Sequence, residues 1–127
     1  MPEENDLKRS IADLKNKQRK KINETMKLSV PEWDDFEIEI EKLRVSHFVD
    51  AEEFARSKND RGVEQVNMEK RNVYLVMFAI KGFGVGEIEL LEEHTPAGVV
   101  SDLLEKAFEF SGFQGGITEI LVEKKKD

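Results

Sequence analysis

The chain has 127 residues, 39% hydrophobic and 37% charged, with a net charge of −7 and no cysteine. That length suits one domain with a modest core, and the missing cysteine excludes a disulfide framework, a thiolate metal cage and a cysteine nucleophile. The N-terminus MPEENDLKRS is no secretory signal, and the longest apolar run, residues 73–80, is far short of a membrane span, so a soluble intracellular protein is expected.

Charge is unevenly placed. Residues 7–27 hold eight Lys or Arg against Asp13 and Glu24, a local +6 that leaves −13 for the remainder. The pattern over Asn5–Met26 is helical, with Leu7, Ile11, Leu14 and Ile22 on a narrow apolar stripe interrupted by Gln18. Such a helix is marginal alone and reads as a short coiled-coil seam or a mobile arm. The arm has no aromatic residue among its basic ones, so stacking on bases is unsupported and nucleic acid is not the expected partner.

Lys27 to Ser46 reads as β structure. A first strand over 27–30 and the turn VPEWDD precede Phe36, Ile38 and Ile40, which alternate with Glu37, Glu39 and Glu41 in the period of a half-buried strand. Leu43 and Val45 shift to odd positions, which calls for a bulge or short turn near Lys42. Ser46 or Asp50 caps the next helix, Asp50 with Glu53 in capping-box spacing. Its stripe is Phe48, Ala51, Phe54 and Ala55, and KNDRG (58–62) closes it as a loop.

The stretch VYLVMFAIKGFGVGE (73–87) has two readings, a strand feeding a phosphate loop or a buried helix that stops. Glycines at 82, 84 and 86 miss the G-x-G-x-x-G spacing, and Glu87, Glu89, Glu92 and Glu93 stand where a phosphate needs positive potential. The helix reading explains more: Asn67 caps it, and Gly82 followed by Phe83, folding against Phe78, fits a Schellman stop. Phe108, Gly112 and Phe113 repeat that ending. Glu87–Glu93 is a helical connector. Thr95-Pro96 opens a last helix, Thr as cap and Pro at the first helical position, with Val99, Val100, Leu103, Leu104, Ala107 and Phe108 as its core stripe up to Ser111. The tail ITEILVEKKKD reads as a short strand or a short helix. The fold class is therefore α+β, mainly helical, a small N-terminal β-hairpin packed on about three to four helices with a charged N-terminal helical arm. The pieces divide as an arm over 1–26, one globular domain over 27–113 and a C-terminal tail over 114–127.

Candidate chemistry is sparse. His94 follows Glu92 and Glu93, but adjacent residues do not converge on one ion, and no third spaced ligand is present, so no metal or other cofactor is expected. His47 reads as a helix-start residue. Ser101 lies mid-helix, where a nucleophile elbow cannot form. Trp33 is either a partner anchor or a cover for the hairpin. No enzyme is expected.

The order of pieces carries a resemblance. A charged arm, a Val-Pro strand, FEIEIEKLRVS, the helix SHFVDAEEFARS, an apolar helix ending KGFG and then TPAGVVSDLLEKAFEFSGF resemble the tail assembly chaperones of long-tailed bacteriophages and prophages, over residues 28–113. The resemblance implies a non-catalytic protein of the host bacterial cytoplasm that coats the helical tape-measure protein, assists tube subunits to polymerise around it and leaves the finished tail. It also implies a longer frameshifted form. Lys124-Lys125-Lys126 is either the slippery run or a plain solubilising tail. The alternative is a structural adaptor or connector, or a general protein-interaction domain, that stays in such an assembly. The candidate partner surface is Phe110, Phe113, Ile117 and Leu121.

Overall fold

The computed structural model describes residues 2–112, with side chains from Ser10 onward. The fold is α+β and mainly helical, as the pattern of the sequence indicates. Its elements are α1 (Pro2–Ile22), β1 (Thr25–Val30), β2 (Phe36–Glu41), α2 (Val45–Ala55), β3 (Arg56–Lys58), β4 (Glu64–Val66), α3 (Met68–Ala79), α4 (Ile88–Glu93) and α5 (Ala97–Phe110). Two short antiparallel ribbons form, β1 with β2 and β3 with β4. The first ribbon lies on α3 and α5, and α3 also contacts α2 and α4.

The helix expected over 5–26 stops at Ile22, because Thr25 and Met26 are taken into the ribbon opposite Glu41 and Ile40. On the inner face Met26, Leu28 and Val30 stand opposite Ile40, Ile38 and Phe36. Ile38 and Ile40 are buried. Phe36, beside the turn, stays 59% exposed although its partner Val30 is buried. The turn holds one 3-10 turn at Pro31–Trp33, then Asp34 and Asp35 at φ 54° and 59°, a left-handed conformation that Asp tolerates better than most residues.

The change of phase after β2 is a short link over residues 42–44. Leu43 turns inward there while Val45, first in α2, is 80% exposed. The Leu43 N–H donates to Ser111 Oγ at 2.7 Å, and that hydroxyl donates on to Ala107 O at 2.6 Å, tying the link to the end of α5. Neither Ser46 nor Asp50 caps α2; both lie inside it. The cap position is Arg44, whose N–H donates to His47 Nδ1 at 3.0 Å, so a histidine at the third helical position supplies what a Glu or Gln would in a capping box. The His47 ring stacks on Phe78 with centroids 4.9 Å apart.

Ala51 and Ala55 are buried where α2 meets α3, their small side chains permitting close approach. Phe48 and Phe54, expected beside them, sit at the rim, stacked on Phe108 and Tyr74. The KNDRG loop is flanked by β3 and β4, which the sequence did not announce. Asn59 Oδ1 accepts from the N–H of Arg61 and Val63, with Gly62 at φ 77° completing the turn. Asn67 then caps α3, its Oδ1 accepting from Lys70 N at 3.0 Å.

The apolar run 73–80 is helix to Ala79, not a strand feeding a phosphate loop. Its end differs from the expected Schellman stop. Ile80 is extended and bridges to Ile40, Lys81 N–H donates to Glu39 O, and Phe83 N–H closes a turn on Ile80 O with Gly82 at φ 87°. Pairing with β2 thus unwinds the last turn that a Schellman motif would need. Phe83 packs its ring 6.0 Å from Trp33. At the end of α5 Gly112, φ 94°, donates to Glu109 O, one of the two bonds of the expected motif; its partner Phe113 lies outside the described residues. Pro96, not Thr95, holds the cap position of α5. The Thr95 hydroxyl is used instead on Leu90 O at 2.7 Å and accepts from Trp33 Nε1 at 3.2 Å, pinning the ribbon turn to the junction of α4 and α5.

Two predictions test these joints. Ser111→Ala leaves the Leu43 N–H unpaired and should lower the unfolding free energy by about 1–2 kcal/mol in urea titration. A Cβ at Gly82 or Gly112 meets nothing within 4 Å, so the cost of substitution there is conformational. Gly82→Val and Gly112→Val should each cost at least about 1–2 kcal/mol, and unchanged melting temperatures would show that neither turn needs its positive φ.

Candidate interaction surface

Polar side chains are scarce in the interior: Arg71 and Thr95 alone are buried among the described residues. Arg71, 7% exposed, directs Nε and a terminal nitrogen at Asn72 Oδ1, 3.4 and 3.0 Å away. Burial lowers its pKa and Glu52 offsets part of the effect. His47 is likewise committed to the cap of α2. His94 faces Glu89 at 3.7 Å, and no group of three metal-ligating side chains forms among the described residues. Ser101 is an exposed residue inside α5.

Of the expected partner surface, Phe110 is half-buried against the core, with the Lys42 ammonium 5.3 Å from its ring centre. Phe113, Ile117, Leu121 and the lysine run at 124–126 lie outside the described residues. Trp33 proves to be a cover for the ribbon: half-buried, hydrogen-bonded through its indole and packed on Phe83.

Two surface features remain. The first is α1 itself. Every residue from Ser10 to Lys21 is exposed, including Ile11 at 46% and Leu14 at 55%. At 100° per residue Ile11, Leu14 and Gln18 share one face, with Lys15 and Arg19 on one flank and Lys17 and Lys21 on the other. The second is a cleft of about 640 Å³ between the start of α3, the end of α4 and the start of α5. Leu91, Val100 and Leu104 form its floor, and Glu69, Glu92 and Glu93 stand on its rim beside Lys70. The sequence pattern showed the stripe on α1 but not the cleft, because residues from three separated segments meet there only through packing. A smaller cleft of about 430 Å³ lies at the root of α1, lined by Ile22, Lys42, Arg44, His47 and Lys81 among others.

No helix among the described residues is long and apolar enough to cross a membrane.

His47 gives the surface a measurable pH response. Burial, and then the Arg44 charge, hold its pKa below the ordinary 6.5, while Asp50 and Glu41 pull it upward. The unfolded chain therefore binds this proton more readily, so the contribution is intact above 6.5 and is lost as pH falls below it. Thermal melts from about pH 7 to about pH 5 should show a falling midpoint, and His47→Gln, which keeps an acceptor for the Arg44 N–H, should flatten that slope.

Searches against protein-family models, curated proteins and solved structures return no match for this chain.

Proposed function

We propose that this chain is a tail assembly chaperone of a long-tailed phage or prophage, a non-catalytic factor that binds the tape-measure protein and assists tube assembly around it. The observation that carries the reading is α1: a basic amphipathic helix of 21 residues, about 31 Å long, with Ile11 and Leu14 in solvent. An exposed seam of this kind is suited to helical partners, and a tape-measure protein is a long run of helix. The order of ribbon, helix, apolar helix, connector and amphipathic helix agrees with the resemblance described above. The charged surface suits a factor that keeps an aggregation-prone partner in solution and then releases it.

Co-expression with the tape-measure gene of the same tail cluster tests the reading. The tape-measure protein should become soluble and co-purify with this chain, and the chain should be missing from purified tails. No co-purification, together with a stoichiometric band in the finished particle, would replace the chaperone with a structural adaptor.

A further inference from the structure

The acid-rimmed cleft and the basic helix fit each other. We propose that α1 of one copy docks in the cleft between α3, α4 and α5 of a second copy, so that the chain assembles with itself through arm exchange. This self-association does not depend on the chaperone reading.

Three observations lead to it. First, the two surfaces are complementary in kind. Ile11 and Leu14 sit one turn apart in solvent on α1, and the cleft floor is Leu91, Val100 and Leu104. The lysines flanking the stripe meet Glu69, Glu92 and Glu93 on the rim. Among the described residues Lys15, Lys17, Arg19, Lys20 and Lys21 have no ion-pair partner.

Second, charge disfavours a parallel pairing of two stripes. A parallel pair of α1 helices along Ile11 and Leu14 would crowd Lys15 and Lys17 of both copies along one seam with no carboxylate between them, where a coiled coil places opposite charges. The basic flanks of the stripe suit an acidic host, and outside residues 7–27 this chain carries −13.

Third, geometry favours a second copy over the helix's own cleft. The root of α1 at Ile22 shares a cleft with Lys81, which follows the C-terminal end of α3. The docking cleft is lined by Asn67, Glu69 and Lys70 at the opposite end. The twelve residues of α3 put about 18 Å between the two. Only Asn23 and Glu24 join α1 to β1, and the helix stands clear of its own domain.

Sedimentation equilibrium on the full chain, with charge-reversed variants, tests the proposal. Wild type should exceed its 14.6 kDa monomer mass. Raising salt from about 0.1 M to about 1 M, which shortens the Debye length from about 10 Å to about 3 Å, should weaken association roughly tenfold. Lys15→Glu with Lys17→Glu in one chain, and Glu92→Lys with Glu93→Lys in another, should each be monomeric. All four positions are exposed, so both variants should keep the wild-type melting temperature. Mixed together they should associate again as one-to-one pairs, the unchanged basic arm of the second seated in the unchanged acidic cleft of the first and the acidic arm of the first in the basic cleft of the second. Because the chain has no cysteine, Leu14→Cys and Ser101→Cys introduced into separate chains give an independent readout, a disulfide between the two chains on mixing under oxidant. A wild type that stays monomeric, association that survives reversal of the cleft charges, or a mixture that neither associates nor cross-links would overturn the proposal.

Discussion

Everything in this molecule is arranged around the need to cover α3. Leu75, Val76, Met77 and Ala79 are buried on neighbouring faces of one helix, and Val73, Tyr74 and Phe78 are half-buried between them. A helix apolar on nearly every side has no solvent face of its own. It must be enclosed, and four elements share the work: α2 through its two alanines, α4 through Leu91, α5 through the stripe from Val100 to Phe108, and β2 through Ile38 and Ile40. The two-stranded ribbon, too small to stand alone, gains its stability from the same contact.

Hydrogen bonds then fix the enclosing elements in register. Each joins segments far apart in the chain: Trp33 to Thr95, Leu43 to Ser111, Lys81 to Glu39. Thr95 and Ser111 each accept one bond and donate another, so a single hydroxyl satisfies a helix-end carbonyl and holds a distant donor. No buried side-chain nitrogen or oxygen among the described residues lacks a partner. The titratable groups that burial perturbs, His47 and Arg71, are occupied in cap and packing roles. The described part of the chain thus spends its polar interior on holding the fold.

How much of this was legible depended on the range of the forces involved. The stripe of α5, the alternation of β2 and the Asn67 cap are local patterns, and each stands where the sequence put it. The ends of elements were decided elsewhere. Gly82 has its positive φ, but the helix before it unwinds early because Ile80 pairs with Ile40. Thr95 lost its cap role because Trp33 and Leu90 compete for the hydroxyl. The start of α2 was misread because histidine, not Ser46 or Asp50, completes the cap. The ribbon of β3 and β4 has three residues in each strand, too few for a period to show. Of the candidate surface, Phe110 packs half-buried against the core, and the rest lies outside the described residues. The cleft could not be read from the sequence, since its floor and rim come from three helices.

The bond between Leu43 and Ser111 also has a meaning for folding. It joins residues 68 positions apart, and the bridge between Ile40 and Ile80 joins residues forty apart. During synthesis the ribbon and α2 emerge with their apolar faces open, and α3 adds more exposed surface than it covers until α5 follows. The core closes only when almost all of the described chain has left the ribosome. Contacts between segments this far apart slow folding relative to a simple helical bundle. The chain therefore spends its vulnerable interval with its most apolar helix uncovered, and the charge-dense N-terminal segment, already synthesised, travels with it and opposes aggregation.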